Sequence, residues 1–136
     1  MRIVIDTNVL VSGTLNPHGA PGQIIDAVLY QSLTVMYDDR IVSEYCEVLR
    51  RPRFGFSEHD VANLIRVIEV NGAMVTATGL DVPLPDPSDL PFLEVADAGE
   101  AAGVVTGNVK HFVPVRGSHR VRIWTPAELV QHLRRL

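Results

Sequence analysis

Short apolar runs along the chain alternate with longer segments in which apolar residues recur at helical spacing. The runs predict five strands, at residues 3–5, 33–37, 73–76, 103–106 and 121–124. The first run is apolar throughout, as is typical of a strand that is buried on both faces of a parallel sheet. This alternation predicts an α/β fold in which helices cover both faces of a parallel sheet.

Apolar residues at helical spacing predict five helices. The first helix follows residue 22, and the second spans residues 41–51. The third begins near Ser57 and the fourth near Ser88 or Asp89, and the fifth runs from Pro126 toward the end of the chain. Pro52 ends the second of these helices, because the residue before a proline disfavours the α conformation. The glycines and prolines between Asp6 and residue 22 predict a loop, as do the four prolines of residues 80–91. The predicted order is β-α-β-α-α-β-α-β-β-α.

Length and composition are those of an ordinary globular protein. The 136 residues fit one domain, residues 1–136. Hydrophobic residues make up 46% and charged residues 21%, which excludes wholesale disorder. No apolar run is long enough for a transmembrane helix, and the first residues do not resemble a signal peptide. Cys46 is the only cysteine and cannot form an intrachain disulfide, so we expect a cytoplasmic protein.

The net charge of −4 argues mildly against a nucleic-acid partner, but the charge is unevenly distributed. One basic cluster consists of Arg50, Arg51 and Arg53. The segment from residue 110 onwards contains a single acid, Glu128. It also contains a second group of basic residues, namely Lys110, Arg116, Arg120, Arg122, Arg134 and Arg135. Local patches of this kind can contact phosphate groups even on an acidic protein.

Two polar residues come just after predicted strands. Asp6 directly follows the first strand, and Asn108 follows the fourth after Gly107. Ligands of open parallel sheets bind at the carboxyl ends of the strands. If the first and fourth strands are neighbours, we expect the side chains of Asp6 and Asn108 to converge.

Two further acids lie in the apolar stripes of predicted helices. Glu44 has helical spacing with Ile41, Tyr45 and Val48. In the same way, Asp89 has helical spacing with Phe92, Leu93 and Ala96. Each acid lies near the start of its helix, which brings Asp6, Glu44 and Asp89 toward one edge of the sheet.

Clustered carboxylates repel one another, and a hard divalent cation relieves that repulsion. Mg²⁺ prefers oxygen ligands and usually keeps several waters. It also lowers the pKa of bound water and stabilises charge on phosphoryl groups. The cluster therefore predicts metal-assisted hydrolysis of a phosphodiester.

Each of these residues also has a simpler interpretation. Asp6 and Asp89 would both suit the N-terminus of a helix. Glu44 would suit the margin of a core stripe, and Asn108 beside Gly107 is a turn signal. The five histidines show no zinc-ligand spacing, and His111, the only one near the predicted site, is expected to be structural. The metal-site hypothesis rests on the four residues together.

Four segments resemble the motifs of the PIN-domain ribonucleases, which include the toxins of bacterial and archaeal toxin–antitoxin pairs. IVIDTNVLVSG resembles the first motif, and IVSEYCEVLRRPRF resembles the segment of the second acid, at Glu44. DPSDLPFLEVA resembles the segment of the third acid, at Asp89, and VVTGNVKHF resembles the fourth motif. The resemblance extends from residue 2 to about residue 125.

The resemblance implies a three-layer α/β/α sandwich with a mainly parallel sheet of about five strands. It also implies a Mg²⁺ or Mn²⁺ site, cleavage of RNA, a homodimer and a cognate antitoxin protein. Asp6 and Asp89 would bind the metal, and Glu44 would bind it through water or orient the attacking water. Thr7 and Asn8 would orient Asp6 through hydrogen bonds in the first loop, and Asn108 would position a water on the metal. Basic residues Lys110 and Arg116 would contact RNA phosphates.

The sequence departs from the family at Asn108, where many members carry Asp. Asparagine brings no negative charge, which favours an alternative: a PIN-like module with little catalysis that binds RNA or an antitoxin. A third possibility is a metal-dependent phosphatase of another α/β family. It is less favoured, because the opening lacks the Asp-x-Asp pair of haloacid-dehalogenase-like enzymes.

Overall fold

The computed structural model describes residues 1–117 and 119–136. The strands are β1 (Arg2–Ile5), β2 (Thr34–Tyr37), β3 (Ala73–Met74), β4 (Val104–Val105) and β5 (Ile123–Trp124). The helices are α1 (Thr7–Leu15), α2 (Ala20–Leu29), α3 (Asp39–Leu49), α4 (Glu58–Asn71), α5 (Leu90–Ala98) and α6 (Pro126–Arg134). Short 3₁₀ helices occupy Pro52–Phe54, Pro87–Asp89 and Val109–Phe112.

All five strands form one parallel sheet in the order β3-β2-β1-β4-β5. The predicted α/β class is therefore confirmed, and β1 and β4 are neighbours at the centre of the sheet. Their register pairs Ile5 with Val105. The residues that follow this pair, Asp6 and Thr106, consequently leave the sheet side by side.

Helices cover both faces of the sheet. The connections from β1 to β2 and from β2 to β3 run one way across the sheet, and the connection from β3 to β4 runs back. Because parallel crossovers are right-handed, the helices of these two sets lie on opposite faces. In agreement, α5 packs against β1, β2 and β4, whereas α2 packs against α1, α4 and α6. This confirms the three-layer α/β/α arrangement.

The core lies between these layers and is almost entirely apolar. Ile3, Val4 and Ile5 of β1 are fully buried, as the uninterrupted apolar run predicted. Burial of such side chains is the main favourable contribution to folding. Within the described ranges, no helix is both long and apolar enough to cross a membrane.

Side chains at helix starts satisfy backbone N–H groups that would otherwise lack partners. Ser57 accepts a hydrogen bond of 3.0 Å from the N–H of Asp60 at the start of α4, as predicted. Thr125 and Glu128 form a reciprocal capping box around Pro126 at the start of α6. These contacts fix where both helices begin.

The prediction of a loop after the first strand is wrong for residues 7–15, because α1 begins immediately at Thr7. Gly13 lies inside this helix and does not end it. A Cβ atom at Gly13 would lie 2.6 Å from the carbonyl oxygen of Pro21. The glycine therefore permits close packing of α1 against the start of α2. The strands predicted at residues 73–76, 103–106 and 121–124 are present but shorter than predicted. The helix predicted near Ser88 or Asp89 is α5, which begins at Leu90 and ends at Ala98.

Candidate functional site

Asp6 lies buried at the carboxyl end of β1, where two side chains hold it. The Thr106 hydroxyl donates a hydrogen bond of 2.7 Å to Oδ2 of Asp6, and Nδ2 of Asn8 donates one of 3.0 Å to the same oxygen. Oδ1 of Asn8 in turn accepts 2.9 Å from the N–H of Gly107. Asp6 is thus fixed against both its own helix and the loop after β4.

The simpler interpretation of the two aspartates is correct for their positions, because both lie at the N-terminus of a helix. Asp6 and Asp89 occupy the positions just before α1 and α5, yet neither side chain makes a capping hydrogen bond. By contrast, Asp38 at the start of α3 does cap its helix, accepting 3.1 Å from the N–H of Ile41. Helix capping therefore does not occupy the carboxylates of Asp6 and Asp89.

Glu44 lies half-buried on α3, between the buried side chains of Ile41 and Tyr45. Its Oε2 accepts a hydrogen bond from the hydroxyl of Thr7, the first residue of α1. This contact joins α3 to the segment that carries Asp6. Thr7 was expected to orient Asp6 within a loop. In the structure it lies in a helix, where its backbone N–H hydrogen-bonds Asp6 and its hydroxyl hydrogen-bonds Glu44.

Asp89 lies just before α5 with a side chain that is 13% exposed. His111 Nδ1 lies 3.2 Å from its Oδ2, although the two atoms do not form a hydrogen bond of acceptable geometry. Oδ2 is buried and has no hydrogen-bond partner among the described residues. An unsatisfied buried acceptor is costly, and a bound ion or water is a common reason for one.

The three acids influence one another electrostatically. Burial raises the pKa of Asp6 to about 6, the Thr106 hydrogen bond opposes this shift, and the charges of Asp89 and Glu44 add to it. Burial also raises the pKa of Asp89, with further upward contributions from Asp86 and Glu44 and a downward one from His111. The charges of Asp89 and Glu44 therefore act on Asp6, and Thr7, the residue after Asp6, contacts Glu44 directly.

Of the remaining predicted residues, Asn108 is the one with a described contact to the site. The backbone N–H of Asn108 donates 3.0 Å to Oγ1 of Thr106, so Asn108 reaches Asp6 through Thr106. Lys110 is exposed on the 3₁₀ helix Val109–Phe112. Arg116 pairs with Glu128 at 2.8 Å, and this ion pair reduces the charge it can offer to a phosphate.

The donor set is made of oxygens, as Mg²⁺ and Mn²⁺ require, and the buried Oδ2 of Asp89 suits a cation ligand in place of its contact with His111. Across residues 1–117 and 119–136, no three His, Cys, Asp or Glu side chains are close enough together to hold an ion directly. Mg²⁺ sites commonly use one or two protein carboxylates and complete the shell with water and substrate phosphate. The arrangement therefore fits a hydrated ion better than a closed cage of carboxylates.

Three contacts of the site were not predicted from the sequence. The Thr106 hydroxyl donates to Asp6 beside Asn8, His111 lies next to Asp89, and the Thr7 hydroxyl donates to Glu44. A signal for Thr106 was present, because a parallel pairing of residues 3–5 with 103–105 sets Asp6 beside Thr106. The contact of His111 depends on the 3₁₀ helix that follows β4, for which the sequence gives no clear periodicity.

Comparison with known proteins agrees with this geometry. Residues 2–110 match the PIN domain family. The chain is also similar to an uncharacterised protein of Methanocaldococcus jannaschii, with 22% identity over 142 residues that cover 96% of this chain and 90% of the relative. PIN domains are in general nucleases. The match covers most of the chain, and we conclude that this protein belongs to the PIN domain family.

Proposed function

We propose that this protein is an endoribonuclease dependent on Mg²⁺ or Mn²⁺. The observation that carries the proposal is the position of Asp6, which is buried at the carboxyl edge of the sheet, where burial and then the charges of Asp89 and Glu44 raise its pKa to about 6. Membership of a family of nucleases supports the same reaction class. The buried Oδ2 of Asp89, which His111 approaches to 3.2 Å, is an oxygen that can bind a cation.

In this proposal each residue has a separate role. Asp6 and Asp89 hold the metal, and Glu44 orients the attacking water or binds the metal through water. When bound, Mg²⁺ supplies an acidified water and neutralises charge on the phosphodiester. Asn108 positions a water beside the metal. Thr106 and Asn8 hold Asp6 in place.

We further propose that the protein acts in the cytoplasm as the toxin of a toxin–antitoxin pair, as a homodimer that a cognate antitoxin protein neutralises. Support for this comes from the family alone. A loss of growth when the protein is produced, which Asp6→Asn abolishes, is the expected result for a toxin. Growth unaffected by the wild-type protein, despite RNA cleavage in vitro, would favour a ribonuclease with another role.

Asn108 favours one alternative, a PIN module with weak catalysis that binds RNA or an antitoxin. Asparagine leaves the site with three carboxylates, and a site with fewer negative charges binds cations less strongly. The two functions differ in a simple assay. Assorted RNAs are incubated with Mg²⁺, Mn²⁺ or EDTA, beside Asp6→Asn. Cleavage that needs metal and Asp6 supports the enzyme, whereas binding without cleavage supports the alternative.

A further inference from the structure

An open groove of about 380 Å³ adjoins the candidate site. Its lining includes Thr7 and Glu44, which belong to the site, and Arg51, Arg53 and Phe54, which do not. The last three come from the segment that joins α3 to α4. A molecule that occupies this groove therefore contacts Glu44 and the connecting segment together.

The connecting segment carries a stack of three planar side chains. The rings of Phe54 and Phe56 lie 5.5 Å apart at an angle of 13°, and Cζ of Arg53 lies 4.8 Å from the centre of the Phe54 ring. Gly55 between the two rings has φ of 65°, a left-handed conformation that side-chain-bearing residues rarely adopt. The tight turn at Gly55 thus permits the two rings to stack.

The two phenylalanines differ in their surroundings. Phe56 packs against the hydrophobic core, whereas Phe54 lines the groove and is half-buried. Part of an aromatic ring is consequently available to a ligand in the groove. Partly exposed aromatic rings beside positive charge are typical of sites that stack unpaired nucleobases.

The three arginines of this region differ in how their charge is balanced. Arg50 pairs with Glu58 at 2.9 Å, and Arg51 pairs with Glu47 at 2.8 Å. Arg53 is exposed and has no ion pair with any described residue. It therefore contributes an uncompensated positive charge to the groove, next to the Phe54 ring.

We propose that Arg53 and Phe54 form a subsite for one unpaired nucleotide of single-stranded RNA, with the base packed against the exposed part of the Arg53–Phe54 pair and a phosphate beside Arg53. This inference rests on the proposed ribonuclease function, whose site supplies Glu44 to the same groove. A ring and a guanidinium offer stacking and charge with little base-edge readout, so the subsite accepts different bases. Because bases within a duplex are already stacked on one another, the subsite excludes duplex RNA.

The test measures binding of a short fluorescein-labelled single-stranded RNA by anisotropy, in EDTA to prevent cleavage, at several salt concentrations. Phe54→Leu is expected to weaken binding about tenfold with an unchanged salt dependence, because it removes stacking and no charge. Arg53→Gln is expected to lower the slope of log affinity against log salt by about one. Arg66→Gln is the matched control, since Arg66 is exposed on α4 and does not line the groove. It should change neither quantity.

A second measurement uses the wild-type protein alone, so that a folding defect in a variant cannot decide the result. RNA carrying 4-thiouridine is cross-linked by light, and the peptide that contains Phe54 is expected to carry the label. Equal affinity of Phe54→Leu and wild type, a cross-link elsewhere, or equally tight binding of duplex RNA would overturn the subsite. So would binding of an acidic peptide in place of RNA.

The two proposals fail in distinguishable ways. If Phe54→Leu binds RNA as the wild type does while metal-dependent cleavage persists, the subsite is wrong and the ribonuclease stands. If the wild type neither binds RNA in EDTA nor cleaves it with Mg²⁺ or Mn²⁺, both proposals are wrong.

Discussion

The hydroxyl of Thr106 donates a hydrogen bond of 2.7 Å to the carboxylate of Asp6, although 100 positions separate them in the sequence. The bond follows from the parallel register of β1 and β4, in which Ile5 lies opposite Val105. It stabilises the ionised form of Asp6 and so opposes the effect of burial on its pKa. Thr106 therefore increases the fraction of Asp6 that is ionised and able to bind a cation.

Replacement of Thr106 by valine removes this hydroxyl at nearly constant volume. The pKa of Asp6 is expected to rise above its value of about 6. Binding of Mn²⁺ then requires a higher pH, because the ligand must be deprotonated. The measurement is Mn²⁺ affinity as a function of pH by calorimetry. Thr106→Ser retains the hydroxyl and serves as the control, and a midpoint that does not move in Thr106→Val would contradict the assigned role.

Asp6 makes the stability of the metal-free protein depend on pH. Its folded-state pKa is raised from 3.8 to about 6, so the folded protein binds this proton more tightly than the unfolded chain does. The resulting stabilisation is complete below pH 3.8 and is lost as the pH rises through about 6. Over that window the stability of wild type relative to Asp6→Asn should fall by about 2–3 kcal/mol.

Urea denaturation of both proteins in EDTA across this pH range measures the difference. Adding Mg²⁺ at neutral pH should then raise the melting temperature of wild type more than that of Asp6→Asn, since the metal stabilises the state that binds it. Equal shifts in the two proteins would exclude Asp6 as a ligand.

The Thr7 hydroxyl is expected to matter for catalysis through Glu44, which accepts its hydrogen bond. Thr7→Val should reduce RNA cleavage by about 10- to 100-fold, a typical cost of losing a group that orients a metal-site residue. Thr7→Ser, which keeps the donor, should restore most of the activity. If Thr7→Ser is as defective as Thr7→Val, the methyl group and its packing are responsible instead of the hydrogen bond.

Much of the fold could be predicted from the sequence because its signals are local. The fully apolar run 3–5 predicted a central strand, and Ser57 predicted the start of α4. Helix α1 was not predicted because a glycine such as Gly13 can either end a helix or allow close packing within one. Only the position of Pro21 in space distinguishes them, with its carbonyl oxygen 2.6 Å from a Cβ atom built at Gly13.

The acids of the candidate site were predictable for a different reason. Glu44 and Asp89 interrupt apolar stripes, and Asp6 ends a buried strand, so each is a visible exception to a periodic pattern. Contacts that depend on irregular backbone carry no such signal. His111 reaches Asp89 from a short 3₁₀ helix, and its 3.2 Å approach is set by a segment without periodicity.

Asn108 is expected to limit how many metal ions the free protein holds. With Asp6, Glu44 and Asp89 ionised, the site carries three negative charges, which one divalent cation largely neutralises. A second ion should bind weakly or together with RNA. Asn108→Asp should strengthen Mn²⁺ binding, because hard cations favour added carboxylate charge. Calorimetric titration of both proteins is the measurement. Two tight sites in the wild type, or no gain in the variant, would show that charge at residue 108 does not govern occupancy.

Cleavage of an end-labelled RNA under single-turnover conditions tests most directly whether Asp6, Glu44 and Asp89 act as one metal-dependent site. Wild type should cleave with Mg²⁺ or Mn²⁺ and not with EDTA. Asp6→Asn, Glu44→Gln and Asp89→Asn should each slow cleavage by about 10²–10³. Glu69→Gln, an exposed control on α4, should not.

The rate effects of groups that act as a unit are not additive. The double variant Asp6→Asn with Asp89→Asn should therefore cleave RNA about as slowly as either single variant alone. Cleavage that persists in EDTA, or a double variant slowed by the product of the two single effects, would contradict a shared metal site.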